Sequence, residues 1–94
     1  MEKILIVDDE DSILEPLEEM LKGEGYRVRA FNNPIKALEL LQTQEFDMAI
    51  FDIKMPEMNG YELLQASRAI RPGLPVIFLS SKQEEQDQII GFTL

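Results

Sequence analysis

The feature that most constrains this chain is a hydrophobic period that keeps switching. Ile4-Leu5-Ile6-Val7 is a short, continuously apolar run, the pattern of a strand buried on both faces. Ile13, Leu14, Leu17, Met20 and Leu21 then recur at helical spacing. Ser12 and Glu15 open that helix as an S-x-x-E capping box, and Lys22-Gly23 stops it. Pro16 lies close enough to the start to remove about one hydrogen bond without breaking the rod. Tyr26, Val28 and Ala30 alternate with Arg27 and Arg29, which predicts an edge strand. Asn33-Pro34 opens a second helix through Ile35, Leu38 and Leu41, and Met48-Ala49-Ile50-Phe51 forms a third strand.

After Asp52, the segment from Ile53 to Asn59 contains Pro56 and runs into Asn59-Gly60, a loop signal. Tyr61, Leu63, Leu64 and Ile70 mark a third helix, Arg71-Pro72-Gly73-Leu74-Pro75 ends it, and Val76-Ile77-Phe78-Leu79 is a fourth strand. Strands alternating with helices across short loops predict an α/β fold, a doubly wound parallel sheet with right-handed crossovers. The tail is polar from Ser80 through Asp87 and apolar at Ile89, Ile90, Phe92 and Leu94, which predicts a helix that starts and is cut short.

Ligands of open parallel sheets bind beyond the carboxyl ends of the strands. Here those ends are polar: Asp8-Asp9 follows the first strand, Asp52 the third and Ser80-Ser81 the fourth. With no Cys and no His, disulfides, thiol nucleophiles, imidazole bases and ordinary zinc sites are excluded, so any chemistry rests on carboxylates, hydroxyls, lysines and backbone. If the first and third strands are neighbours, their terminal carboxylates about 5 Å apart repel by roughly 3 kcal/mol at an effective dielectric constant of about 20. A cation relieves that repulsion, and oxygen ligands in a site open to solvent suit Mg²⁺. An aspartate beside such an ion can act as nucleophile toward a phosphoryl group while a hydroxyl contacts the product; Asp52 and Ser80 are the candidates. Taken singly, each has a plainer reading. Asp8, Asp9, Glu10 and Asp11 also suit a helix N-terminus, Asp52 suits a loop cap, and Met48, Met55 and Met58 suit packing.

The ordered combination is more specific than its members. Ile4-Leu5-Ile6-Val7-Asp8-Asp9-Glu10, then Phe51-Asp52-Ile53-Lys54-Met55-Pro56-Glu57-Met58-Asn59-Gly60 and Pro75-Val76-Ile77-Phe78-Leu79-Ser80-Ser81, resembles the receiver domain of two-component response regulators. The resemblance implies a flavodoxin-like sheet of order 2-1-3-4, with one receiver domain over residues 1–94. It implies that Asp52 takes a phosphoryl group from a sensor histidine kinase. Asp8, Asp9, Asp52 and the main-chain carbonyl of Lys54 would hold Mg²⁺, Ser80 would turn toward the acyl phosphate, and Ser81 would be the small residue beside it. The tail from Glu84 to Phe92 is similar to the fourth helix of regulators that carry a winged-helix DNA-binding output domain. The family's fifth strand with its Lys-Pro, and its fifth helix, would follow Leu94, so the domain is expected to be C-terminally incomplete.

Eighteen acids against nine bases give a net charge of −9, which repels phosphate backbones and predicts no direct nucleic-acid binding by this domain. No apolar run approaches the ~18 residues of a membrane span, and no signal peptide opens the chain, so a cytoplasmic location is expected. The fourth strand, 76–79, would lie at an open edge and invite self-association. Two other readings use similar parts: a receiver fold that docks partners without being phosphorylated, and a haloacid-dehalogenase-type phosphotransferase, which expects D-x-D where this chain has Lys54. A flavodoxin-like flavin carrier wants a phosphate-binding loop where Asp8 to Asp11 stand.

Overall fold

The computed structural model describes residues 2–79 and the backbone of residues 89–92. Five strands and three helices follow one another as β1 (Lys3–Val7), α1 (Asp11–Gly23), β2 (Arg27–Phe31), α2 (Pro34–Leu41), β3 (Met48–Asp52), α3 (Gly60–Ile70), β4 (Val76–Leu79) and β5 (Ile89–Phe92). They build one sheet of order β2-β1-β3-β4-β5, parallel from β2 through β4 as the alternation predicts.

The continuous apolar run of β1 is explained by its central position between β2 and β3. Leu5 and Val7 enter one core with Ala37 and Leu41 of α2, Leu63 of α3, and Phe51 and Phe78 of the sheet. Ile4 and Ile6 enter a second core on the other face with Leu14 of α1 and Val28 of β2. Thus α1 covers one face, and α2 and α3 the other. β2 shows the half-exposed pattern of an edge strand.

Three local expectations are corrected. Ser12 does not cap α1: the helix begins at Asp11 with Glu10 as N-cap, whose carbonyl accepts from Ile13 N and Leu14 N at 3.0 Å each. The chain turns into the helix directly off β1, because Asp8 Oδ1 accepts the Glu10 N–H at 2.9 Å, and this moves the start ahead of the Ser-x-x-Glu signal. The reciprocal capping box lies instead on α3, where Asn59 Oδ1 accepts from Glu62 N and Glu62 Oε1 accepts from Asn59 N. Pro16 behaves as expected, inside a continuous α1.

The second and third corrections concern the tail. Residues 89–92, expected to be helical, form β5 antiparallel to β4, with Ile77 opposite Gly91 and Phe78 opposite Ile90. Extended backbone suits the β-branched pair Ile89-Ile90, and it supplies partners for the polar groups that β4 would otherwise leave unpaired. Strand 76–79 is therefore not an edge, and the ground for self-association through it is removed; β2 and β5 bound the sheet. Ser80, Ser81 and the segment Glu84 to Gln88 lie outside the described residues.

Candidate metal centre

The site is built by register. Val7 of β1 is paired with Phe51 of β3, so one residue farther along both strands Asp8 and Asp52 come abreast at the carboxyl end of the sheet. Asp52 is itself paired with Leu79 on its other side. Asp8 and Asp52 are fully buried and Asp9 is half-buried. Each of the three offers a carboxylate oxygen within 4.8 Å of the others.

This arrangement separates four consecutive acids by role. Glu10 caps α1, and Asp11 opens its first turn, exposed and accepting from Asn32 Nδ2 at 3.2 Å. Asp8 and Asp9 turn the other way, toward Asp52. The helix-terminus reading thus holds for Glu10 and Asp11 only.

The loop after Asp52 is pinned at both ends and in the middle. Ile53 N donates to Leu79 O at 3.3 Å, and Gly60 N donates to Ile53 O at 2.9 Å, closing the loop onto the head of α3. Met55 is buried in the larger core, and Pro56 after it holds Met55 out of helical backbone. Lys54, between these anchors, is exposed and occupies the position where a D-x-D motif would place its second acid. Gly60 is the position that sequence spacing could not interpret. A Cβ there would stand 2.5 Å from the Asp52 carbonyl oxygen, so only glycine lets α3 begin directly against the end of β3.

The three carboxylates of this corner repel one another. A pair of unit charges at 4.8 Å repels by roughly 3 kcal/mol at an effective dielectric constant of about 20. Asp9 Oδ1 is buried without a hydrogen-bond partner among the described residues. An all-oxygen set of three carboxylates, with Asp9 Oδ1 unpartnered among the described residues, fits a hard divalent cation.

The sequence matches the family model of the response regulator receiver domain over residues 4–94. The chain belongs to the response regulator receiver family. This receiver is 34% identical over 93 residues to the transcriptional regulatory protein CreB of Escherichia coli, covering 99% of this chain and 41% of CreB. The chain thus spans under half the length of that curated relative. Among solved structures, it is similar to the response regulator TrrA of Thermotoga maritima in complex with Mg²⁺-BeF, at TM-score 0.81 and 34% identity over 92% of this chain and 75% of that one. It is likewise similar to a chain in the complex of the histidine kinase ThkA with TrrA, at TM-score 0.80 and 33% identity over 94% of this chain and 76% of that one. Receiver domains are regulatory units of two-component systems, and the Asp8, Asp9 and Asp52 cluster of this one stands at the carboxyl end of a receiver sheet. No helix among the described residues is long and apolar enough to cross a membrane.

Proposed function

We propose that this receiver accepts a phosphoryl group on Asp52 from the phosphohistidine of a sensor kinase, with Mg²⁺ held by Asp8, Asp9, Asp52 and the main-chain carbonyl of Lys54. The observation that carries the reading is the abreast placement of Asp8 and Asp52 one step beyond the Val7–Phe51 pair. When bound, the ion neutralises the carboxylates and the incoming phosphoryl oxygens. Asp52 supplies the attacking carboxylate oxygen: an O–P bond forms as the P–N bond of the phosphohistidine breaks, and the departing imidazole takes a proton from solvent. The Glu10 N–H fixes the Asp8 carboxylate, so the acids meet the ligand already oriented. Ser80, which follows Leu79 in the chain, would offer its hydroxyl to the acyl phosphate.

Phosphorylation adds negative charge at the end of β3, and the resulting shift between two surface states controls an output domain, transcriptional as the CreB resemblance suggests, in the cytoplasm. The domain is a switch that modifies its own aspartate, not an enzyme that turns over a separate substrate. The test is intact-mass spectrometry after incubation with Mg²⁺ and acetyl phosphate. One added phosphoryl group on the full receiver and none on its Asp52→Asn variant is the expected result. An Asp52→Asn variant that is still phosphorylated, or an unmodified parent that demonstrably binds Mg²⁺, overturns it.

A further inference from the structure

The β2 side of the sheet gathers basic residues on a chain whose net charge is −9. Lys3 and Arg27 are direct register partners, and Leu5 is paired with Arg29, so Lys3, Arg27 and Arg29 project from the same face. They line a cleft of about 310 Å³ floored by Phe46, with Lys3 Nζ 5.1 Å from the Phe46 ring centre and 3.5 Å from Gln44 Oε1. A third of the chain's nine basic residues thus converge in one cleft of a molecule with eighteen acids. Arg27 and Arg29 are exposed and enter no ion pair among the described residues; the Arg29 guanidinium rests 5.5 Å over the Phe31 ring.

The same strand has an open backbone. Arg27 N donates to Glu2 O, and Phe31 O accepts from Asp8 N, so the odd residues of β2 spend their polar groups on β1 and its flanks. By alternation, the N–H and C=O groups of Val28 and Ala30 face outward along an edge that no strand of the described residues covers. Another copy of this edge is a poor partner, since antiparallel pairing of two β2 strands sets arginine against arginine.

We infer that the β2 edge is a docking groove for an extended acidic peptide. The peptide adds to the sheet as a sixth strand, bonds the outward groups of Val28 and Ala30, and places carboxylates two residues apart over Arg27 and Arg29. Backbone pairing supplies the common affinity of strand addition, and the period-two arginines supply the selection for acid. This surface is separate from the Asp8–Asp52 site and stands or falls independently of phosphorylation.

A fluorescein-labelled alternating Thr-Glu decapeptide tests it by fluorescence anisotropy, with alternating Thr-Gln and oligothymidylate as comparison probes. Binding of the Thr-Glu peptide alone is expected, weakened by about threefold in Arg29→Gln and about tenfold in the Arg27→Gln/Arg29→Gln pair, but unchanged in Lys22→Gln, which removes one cation from α1. Hydrogen exchange at the Val28 and Ala30 amides slows when the peptide is bound. No binding of the Thr-Glu peptide, equal binding of Thr-Gln, tighter binding of oligothymidylate, insensitivity to the arginine substitutions, or unchanged exchange at Val28 and Ala30 overturns the inference. Far-UV circular dichroism confirms that the variants, all at exposed positions, retain the fold.

Discussion

The head of α3 lies so close to the end of β3 that a Cβ on Gly60 would stand 2.5 Å from the carbonyl oxygen of Asp52 and 3.0 Å from Ile53 Cα. Both neighbours are backbone, so neither can swing aside as a flexible side chain would. Gly60→Ala is expected to cost about 1–3 kcal/mol of stability in urea unfolding, the usual range for overpacking. It also displaces Asp52 from Asp8 and so weakens Mg²⁺ binding. A variant within about 0.5 kcal/mol of the parent, in the range of ordinary surface substitutions, contradicts the close-approach argument.

Neutralising one member of the acid cluster has a sign opposite to that of most buried substitutions. In metal-free buffer Asp52→Asn relieves repulsion across at most 4.8 Å and is expected to raise stability by about 1–3 kcal/mol. Adding Mg²⁺ stabilises the parent by mass action, about 2.7 kcal/mol at a hundredfold excess over the dissociation constant, and stabilises Asp52→Asn far less. Thermal unfolding with and without the ion checks both halves; loss of stability in metal-free Asp52→Asn contradicts the electrostatic account.

Two helix starts that look similar in sequence should respond differently. Asn59→Ala removes an acceptor used by Glu62 N at 2.9 Å and is expected to cost about 1 kcal/mol. Ser12→Ala touches no cap, since Glu10 begins α1, and should change stability by less than about 0.5 kcal/mol. Chemical denaturation of the two variants side by side gives the comparison, and equal effects would reassign the caps.

Ser67, fully buried on α3, has a hydroxyl oxygen with no hydrogen-bond partner among the described residues. Ser67→Ala removes a desolvated polar atom and almost no volume, and is expected to stabilise the domain by about 1 kcal/mol. Differential scanning calorimetry should show a higher unfolding temperature; a lower one would mean that the hydroxyl is satisfied.

The parts of the fold legible in the sequence are those whose cause is local. The unbroken apolar run Ile4 to Val7 is central because both its faces are covered, and the alternation around Arg27 and Arg29 is an edge because one side is not. The acids were legible as a site because strand ends of a parallel sheet converge. The division of Asp8 and Asp9 from Glu10 and Asp11 was not, because it depends on a turn made by the Asp8 carboxylate and the Glu10 amide. The misplaced cap at Ser12 has the same origin. The tail misled for a different reason: Ile89 and Ile90 fit helix or strand, and the vacant side of β4 decides between them. The need for glycine at position 60 is a distance between two elements, which spacing along the chain does not encode.

The shortest path through the molecule joins its two unlike surfaces. β1 starts at Lys3, abreast of Arg27, and runs straight into Asp8 and Asp9. One five-residue strand therefore joins an end where Lys3 and Arg27 stand beside Glu2 and Asp47 to an end of carboxylates alone, so charge is uneven along it. A charged body drifting nearby exerts a torque before any contact, turning the carboxylate end toward a cationic surface. Salt shortens the range over which that torque acts. The direction of a strand thus becomes a direction of approach.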